Sequence, residues 1–312
     1  MSTDPGPSPL VPRRRLRTEL RRARAEVGLT QDQVAAAMDW SLSKVIRIEN
    51  GTVSISTNDL RVLLNLYEIH DRPRVDDLVE LARASRQPSW WGKHRGVVSS
   101  QYLQYIEYEE AATVLRSYQS ILLPGLLQTE EYAASIIRKL APSGTPAELM
   151  RTQIEVRMAR QRLLEQAEPP AYISILDEGV IQHIVGERNV AERQIARLVD
   201  LARRPNVTIE IVPFTAGLYN GILQAFLHLE FPDPEDADVV FLEGATRDTL
   251  LSNDDAGEVT EFRELFEAIR SVSMGPARTL SYLTNLAKIN LTADAAKAAD
   301  LREGLTDSHA EF

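Results

Sequence analysis

The residues best placed to do chemistry lie between Gly28 and Gly51, in the sequence GLTQDQVAAAMDWSLSKVIRIENG. Hydroxyls, amides and cations dominate its polar side chains, so the chemistry that they offer is hydrogen bonding. An arginine can donate two hydrogen bonds to guanine O6 and N7, and hydroxyl, amide and ammonium groups donate to phosphate oxygens. The segment therefore predicts contacts to a nucleic acid.

Two short helices are predicted to present these residues. Apolar spacing and capping residues place one helix at about 31–38 and the next at about 42–50, joined by the turn Asp39-Trp40-Ser41. Alanines 35–37 supply small side chains where two steeply crossing helices must touch. Such a short turn holds the second helix outward, as entry into a DNA major groove requires.

Each polar residue of this pair of helices has a predicted role. The start of the helix at 42–50 faces base edges, so Leu42, Ser43 and, one turn later, Arg47 are the predicted base contacts. Leu42 offers only apolar contact, for example to a thymine methyl group. The residues predicted to contact phosphates are Gln31, Ser41, Lys44 and Asn50. Contacts of this second kind position a domain without reading the base sequence.

The same segment resembles the phage-repressor type of helix-turn-helix domain, also called the XRE type. The residues that match the family motif in register and spacing are Leu29-Thr30-Gln31, Ser41, Ser43 and Ile48-Glu49-Asn50-Gly51. Trp40 and Leu42 depart from the motif, because a smaller residue and a polar base contact are common at these positions. The resemblance implies that Arg24 and Glu49 form an internal, structural ion pair.

Composition limits the class of protein. The 312 residues include no cysteine, which excludes disulfides and thiolate chemistry and favours an intracellular location. The sequence contains neither an apolar run typical of a signal peptide nor about 20 consecutive apolar residues that could span a bilayer. These features predict a soluble cytoplasmic protein, associated with the nucleoid when it is bound to DNA.

Charge is distributed unevenly along the chain. Residues 1–86 carry 14 basic and 12 acidic side chains, whereas residues 87–312 carry 21 basic and 33 acidic ones. The first part therefore has a net charge of +2 and the second a net charge of −12. Seven arginines lie among positions 13–24, where they create a local field that attracts a polyanion.

The chain is predicted to form two domains. A proline-rich arm at 1–12, expected to be disordered, precedes an all-α domain of five helices at 13–86. A linker containing Pro, Gly and Trp follows at 87–100. Residues 101–289 are predicted to form a larger α+β domain with a central sheet of about five strands, and 290–312 a flexible or marginally helical tail.

Within the second domain, the strand-like runs are rich in Ile, Val, Phe and Tyr and are bounded by Pro, Gly and Asp. They lie at 113–120, 171–176, 207–213, 225–231 and 238–243. Helical periodicity occurs at about 129–140, 146–167, 189–203, 256–272 and 276–288. This mixture of elements is typical of one α+β domain.

The second domain shows no catalytic motif. Its histidines lack the spacing of metal ligands, and neither a phosphate-binding loop nor a nucleophile elbow is present. The pair Asp177-Glu178 follows a strand, where acidic residues commonly cap the next helix. We therefore expect no enzymatic activity, no metal and no cofactor. Five polar residues are candidates for a sensor pocket near one end of the sheet: Arg116, Gln128, Arg160, Gln161 and Glu178.

Two motifs of this domain, PGLLQTEEYA at 124–133 and RMARQR at 157–162, are similar to those of the DUF5753 domain. In actinobacterial regulators that domain is fused to a helix-turn-helix of the repressor type, and the resemblance covers roughly residues 13–290. It implies an antitoxin-like regulator with a small protein partner, similar to the DUF397 family, that is encoded nearby. The acidic second domain suits a basic partner.

Three interpretations of function remain open from the sequence. The first is a sequence-specific transcriptional regulator that binds a double-stranded DNA operator as a homodimer. The second is an antitoxin-like adaptor that sequesters the small partner and uses DNA only for autoregulation. The third, an enzyme tethered to DNA, would need a catalytic centre that no motif supplies. For residues 13–86 alone, a helical packing module and a protein-binding module are the alternatives.

Overall fold

The computed structural model describes residues 9–51, 53–87, 90–94, 96–184, 188–232, 236–244, 248–252 and 255–288. Contacts between Cα atoms divide the chain into two compact units. We call Met1–Arg95 with Ile106–Ala111 the N-terminal unit, and Gly96–Tyr105 with Ala112–Phe312 the C-terminal unit. The predicted tail at 290–312 and the first eight residues of the predicted arm lie outside the described residues.

Five helices precede residue 87 in the described part of the N-terminal unit. They are α1 (Leu10–Glu26), α2 (Gln31–Ala37), α3 (Leu42–Glu49), α4 (Thr57–Leu66) and α5 (Arg72–Ala84). The side chains of Thr30, Ser41, Ser56 and Asp71 accept hydrogen bonds from first-turn amides and so begin α2 to α5. The apolar faces of all five helices share one core.

The first helix begins earlier than the sequence suggested. Helix α1 starts at Leu10, so residues 10–12 of the predicted disordered arm are helical. Proline content indicated an arm, but Pro12 lies in the first turn of α1, where its missing N–H group has no intrahelical partner to lose. Pro12 is also buried, which ties the start of the helix to the unit.

The C-terminal unit is built on a mixed sheet with six strands among its described residues. They are β1 (Val114–Gln119), β2 (Ala171–Asp177), β3 (Val207–Val212), β4 (Phe226–Glu230), β5 (Val239–Leu242) and β6 (Thr249–Leu251). Their order is β3-β2-β1-β4-β5-β6, with parallel pairing from β3 to β1 and antiparallel pairing from β1 to β6. The fold class predicted from the sequence is confirmed, with one strand more than about five.

The remaining helices are α6 (Ser100–Ala111), α7 (Glu130–Leu140), α8 (Ala147–Arg160), α9 (Glu178–Gln182), α10 (Arg188–Leu201), α11 (Ala256–Ser271) and α12 (275–288). Helices α7 to α10 lie in the connections between the parallel strands, because parallel pairing needs long crossovers. Helix α11 shares with the sheet a core that contains Tyr118, Ile175, Phe226 and Phe266. No described helix combines the length and the apolar character that crossing a bilayer demands.

The sequence patterns missed α6, α9 and β6. Strand β6 has three residues and α9 has five, which is too short for a periodic signal. Helix α6 intersperses tyrosines with glutamates and has no single apolar stripe. These elements depend on their tertiary neighbours, such as β5 for β6, and so leave little trace in the local sequence.

Candidate nucleic-acid interface

Local hydrogen bonds hold the segment that contains α2, the turn and α3. Thr30 Oγ1 accepts from the Gln33 amide at 3.2 Å, and Gln33 Oε1 accepts from the Thr30 amide at 2.8 Å, so the two form a capping box. Asp39 has a φ of 53°, in the left-handed region, which lets the chain reverse within a short turn. Ser41 Oγ then accepts from the Lys44 amide at 3.2 Å. These bonds determine where α3 begins and which side chains it presents.

Helix α3 has a buried face and an exposed face. Its buried residues are Val45, Ile48 and Glu49. Ser43, Arg47 and Asn50 are exposed at positions i, i+4 and i+7, so they lie on one face. Leu42, at the start of the helix, is 38% exposed. The three predicted base contacts therefore all lie on the exposed side of α3.

Glu49 is the centre of a buried polar network beneath that face. Its side chain is 2% exposed and accepts from Arg24 twice, Nε to Oε1 at 2.7 Å and Nη2 to Oε2 at 3.1 Å. Gln31 Nε2 donates to Glu49 Oε2 at 2.7 Å, and the Tyr67 hydroxyl donates to Oε1 at 3.5 Å. The hydrogen-bonded carboxylate raises the pKa of Arg24, and burial beside this negative charge raises the pKa of Tyr67.

Two predicted phosphate contacts already have partners within the N-terminal unit. Gln31 uses its amide nitrogen on Glu49. Lys44 Nζ lies 3.7 Å from the centroid of the Trp40 ring and 3.4 Å from Asp59 Oδ2, with 39% of its side chain exposed. Trp40 is a residue at which the sequence departs from the family motif, and its ring makes this cation–π contact. The departure was therefore the sequence feature that could have predicted the contact.

Arg21 is a residue that the sequence interpretation left out of the interface. Its Nη2 donates to Asn50 Oδ1 at 2.6 Å and so joins α1 to the residue that caps the end of α3. Because the amide oxygen of Asn50 accepts this bond, the amide nitrogen of Asn50 points away from Arg21. That nitrogen can donate a hydrogen bond to a phosphate oxygen. The cluster of seven arginines at 13–24 was the signal that pointed to this part of α1.

Other arginines of that cluster make contacts inside the N-terminal unit. Arg22 Nε lies 3.0 Å from Glu26 Oε1, and Arg13 Nη2 donates to the Ser85 carbonyl at 3.3 Å. Arg13 Nη1 also lies 4.0 Å from Glu107 Oε1. Since these side chains are partly or largely exposed, the ion pairs contribute little to stability, but they reduce the positive field of the cluster.

In the C-terminal unit, the motifs PGLLQTEEYA and RMARQR contact each other. Gln128 Nε2 donates to the Leu123 carbonyl at 2.7 Å, and Arg157 Nη1 donates to Gln128 Oε1 at 3.1 Å. Gln161 Nε2 donates to the carbonyls of Gly125 and Gln128 at 2.9 and 2.7 Å. Both glutamines therefore satisfy carbonyl groups of the loop that follows β1.

Arg160 and Arg116, both proposed for a sensor pocket, lie in different surroundings. Arg160 is 6% exposed, donates to the hydroxyls of Tyr102 and Tyr105, and lies 5.2 and 4.7 Å from their ring centroids. Arg116 Nη2 lies 3.3 Å from Glu230 Oε1, on the neighbouring strand β4. Each guanidinium thus has partners within its own part of the unit.

The Arg116 ion pair belongs to a cluster of ionisable groups on one face of the sheet. His228 is fully buried, with Nε2 3.1 Å from Asp238 Oδ2 and Nδ1 3.9 Å from Glu230 Oε1. The ligand atoms of these three residues lie within 4.8 Å of one another, a spacing that a metal ion could use. However, Arg263 Nε also lies 4.0 Å from Glu230 Oε1, so two guanidiniums already neutralise that carboxylate. We interpret the cluster as an ion-pair network.

The acidic pair at the end of β2 caps a helix and holds a loop. Asp177 Oδ1 accepts from the Gly179 amide at 2.8 Å, as expected of a residue that caps α9. Glu178 accepts from the Phe214 amide at 2.8 Å and from the Tyr282 hydroxyl at 3.0 Å. Both carboxylates are thus occupied by structural hydrogen bonds.

The five residues predicted for a sensor pocket have partners within the C-terminal unit. Gln128 and Gln161 are in direct contact, whereas Arg116 and Glu178 bind other groups. None of the five lines the cavity of about 530 Å³ that opens between α7, α8 and residues 97–102. Their part in a sensor pocket stays a prediction.

Comparison with known families agrees with both resemblances drawn from the motifs. Residues 15–78 match the family described as a helix-turn-helix domain. Residues 102–285 match the family described as a domain of unknown function, DUF5753. No curated protein and no solved structure matches the chain. The combination predicted from the sequence is thereby confirmed.

Proposed function

Because this chain belongs to the DUF5753 family and carries a helix-turn-helix domain, we propose that it is a sequence-specific DNA-binding transcriptional regulator. The N-terminal unit reads a double-stranded operator, and the C-terminal unit binds a small protein partner or a ligand. No reaction is catalysed. The protein acts in the cytoplasm and associates with the nucleoid when it is bound to DNA.

The observation that carries this proposal is the exposed polar face of α3. Ser43 and Arg47 lie in solvent, opposite a face that is buried through Val45 and Ile48. The major groove, about 12 Å wide, admits a helix whose exposed face carries such donors. A packing module would also expose a polar face, so the match of residues 15–78 to a helix-turn-helix domain is what favours DNA binding over packing.

The roles of the individual residues follow from this geometry. We assign base contacts to Leu42, Ser43 and Arg47, with Arg47 as the main source of specificity. We assign phosphate contacts to Ser41, Lys44, Asn50 and Gln31. Gln31 keeps one amide hydrogen for a phosphate while the other is bonded to Glu49. A single copy of α3 buries too little surface on DNA to select one operator sequence. We therefore propose that the protein binds as a homodimer, to half-sites about 34–36 Å apart.

Replacing Arg47 by Ala is expected to relax specificity at one base pair. Loss of a bidentate contact to guanine removes about 1–3 kcal/mol of discrimination, so the preference at that position falls by about 5-fold to 150-fold. The measurement is a competition assay in which operators carrying every single-base change compete for the wild-type and variant proteins. Genome-wide mapping of bound sites supplies the starting operator.

The matched control for this experiment is Lys44→Gln, about one turn from Arg47 on α3. Loss of a phosphate contact weakens binding to all sequences alike and lowers the salt dependence of log K by about one. The proposed docking is wrong if Arg47→Ala weakens every operator equally, or if neither substitution changes binding.

A separate observation favours a partner-binding role for the C-terminal unit. Phe214, Leu218 and Leu223, in the loop between β3 and β4, are 61, 89 and 95% exposed. Gly221 of this loop lies against α11, since an added Cβ would stand 3.0 Å from Leu265 Cδ1. The exposed glutamates of α11 are Glu258, Glu261, Glu264 and Glu267. An apolar loop beside an acidic helix suits a small basic protein.

The double substitution Leu218→Asp and Leu223→Asp is expected to abolish binding of the small protein encoded by the adjacent gene. The two substitutions would remove apolar contacts and would leave two carboxylates desolvated at the interface, so affinity falls by about 100-fold or more. Calorimetry with the purified partner measures this. Leu140→Asp, at a position that is 66% exposed on α7, is the control and should bind normally. Unchanged binding of the double variant would reject this surface.

The antitoxin-like adaptor remains the alternative function, and the same variants separate it from regulation. If sequestration of the partner is the main task, Arg47→Ala leaves the protein's effect in cells intact. The double substitution of Leu218 and Leu223 then removes that effect. If transcriptional control is the main task, Arg47→Ala removes the effect at the target promoters.

A further inference from the structure

The cavity between α7 and α8 has an apolar wall and charged groups of both signs. Its volume is about 530 Å³, within the range of about 300–1,000 Å³ typical of small-molecule sites. Ile136, Ile137 and Leu149 contribute apolar surface. Arg157, Asp248 and Glu243 also line the cavity; Arg157 and Asp248 are half-buried, whereas Glu243 is exposed. The cavity is therefore neither purely apolar nor of a single charge.

Within the described part of the chain, neither half-buried charged group has an oppositely charged partner. Arg157 forms no ion pair there, and its Nη1 donates to the neutral amide oxygen of Gln128. Asp248 Oδ1 accepts a long bond of 3.4 Å from the Gly244 amide, and no described cation pairs with it. Burial raises the pKa of Asp248, as expected for a carboxylate that lacks a cation. Unpaired charges that line a cavity are stabilised when a ligand supplies their counter-charges.

We propose that this cavity binds a small zwitterionic molecule with an apolar body, such as an apolar amino acid or dipeptide. Its carboxylate pairs with Arg157, its ammonium group pairs with Asp248, and its apolar part contacts Ile136, Ile137 and Leu149. The proposal names the class of ligand for the sensing role proposed above and rests on that role. A ligand with one charge would leave the other protein charge desolvated and unpaired.

Calorimetry of the full chain without DNA tests the ligand class. The probes are leucyl-leucine, its N-acetyl derivative, which lacks the ammonium group, and its C-terminal amide, which lacks the carboxylate. We expect saturable binding of leucyl-leucine and about 10-fold weaker binding of each derivative, because each loses one charge-assisted hydrogen bond. Absence of saturable binding up to about 10 mM, or equal affinity for the three probes, overturns the proposal.

Substitutions then assign each charge to its partner. Asp248→Asn should weaken leucyl-leucine about 10-fold but leave the N-acetyl derivative unaffected, since that probe has no ammonium group to lose. Arg157→Gln should show the same pattern with the C-terminal amide. Asp200→Asn, at a carboxylate whose side chain is 71% exposed on α10, is the matched control and should bind all probes like the wild type. If Asp248→Asn weakens all three probes alike, the pairing is wrong.

Arg157 also holds Gln128, so its variant could lose structure. If the Arg157 variant does lose structure, binding of the three probes to Asp248→Asn tests the proposal by itself. Asp248 takes no part in the contact between Arg157 and Gln128. Binding is measured without DNA, so a failure of this proposal is distinct from a failure of the proposed regulation. If leucyl-leucine binds as expected and operator affinity is unchanged by it, the site is real and only its link to regulation is rejected.

Discussion

Replacing Arg24 by Met is expected to destabilise the N-terminal unit by about 3 kcal/mol, because Glu49 stays buried without its guanidinium partner. Removing one partner of a buried pair costs about 3–5 kcal/mol. The lower end applies here, since Gln31 and Tyr67 still donate to the carboxylate. A domain is stable by only about 5–15 kcal/mol, so this loss is a large share of the total.

The reverse change, Glu49→Gln, is the matched control and should cost only about 1 kcal/mol. Its effect is smaller because the Arg24 side chain is 21% exposed and can turn its charge towards water, whereas Glu49 is 2% exposed. Urea unfolding followed by tryptophan fluorescence measures both variants. Trp40, Trp90 and Trp91 are all the tryptophans of the chain and lie in the N-terminal unit, so the signal follows that unit alone. Equal losses for the two variants would contradict the unequal burial of the pair.

Replacing Ser43 by Glu is expected to lower operator affinity by about 100-fold or more, equivalent to about 3 kcal/mol. The new carboxylate would lie on the exposed face of α3, where the proposal places DNA, and would face phosphates and base acceptors of like sign. The fold should tolerate the change. Ser43 is exposed in the first turn of α3, where a negative charge is favoured by the helix dipole.

The control for this substitution is Val62→Glu, which adds the same charge at a position on α4 that is 58% exposed. Fluorescence anisotropy with a labelled operator, at two salt concentrations, measures both affinities. The control should lose little, since Val62 is not among the residues assigned to base or phosphate contacts. If the two variants bind equally well, α3 is not the element that enters the groove.

Short-range patterns in the sequence were sufficient for most of the fold. The caps Thr30 and Ser41 mark the starts of α2 and α3, because a cap acts on the amides of the next turn. Strands β1 to β5 begin and end within one residue of their predicted limits, since their β-branched and aromatic runs are bounded by Pro, Gly or Asp. The six-strand order and the direction of each pair were not predicted.

Such short-range patterns could not predict which side chains pair with the polar residues of the interface. Gln31 donates to Glu49, 18 residues away, and Lys44 meets Asp59, 15 residues away. Considered alone, the glutamine amide and the lysine ammonium group are both suited to binding a phosphate. The choice between a phosphate and an internal carboxylate depends on which helices pack together, so the role of Gln31 as a support for Glu49 emerged only in three dimensions.

The sequence alone was enough for the helix-turn-helix, strands β1 to β5 and the outward-facing residues of α3, because periodicity and capping act within one or two turns. The contacts of the residues predicted for a sensor pocket show the opposite case. Pairing of β1 with β4 sets Arg116 opposite His228, and the cavity joins residues as distant as Val97 and Asp248. Only the packing of the whole unit brings such segments together, since their meeting is governed by long-range burial and strand pairing rather than by any local preference.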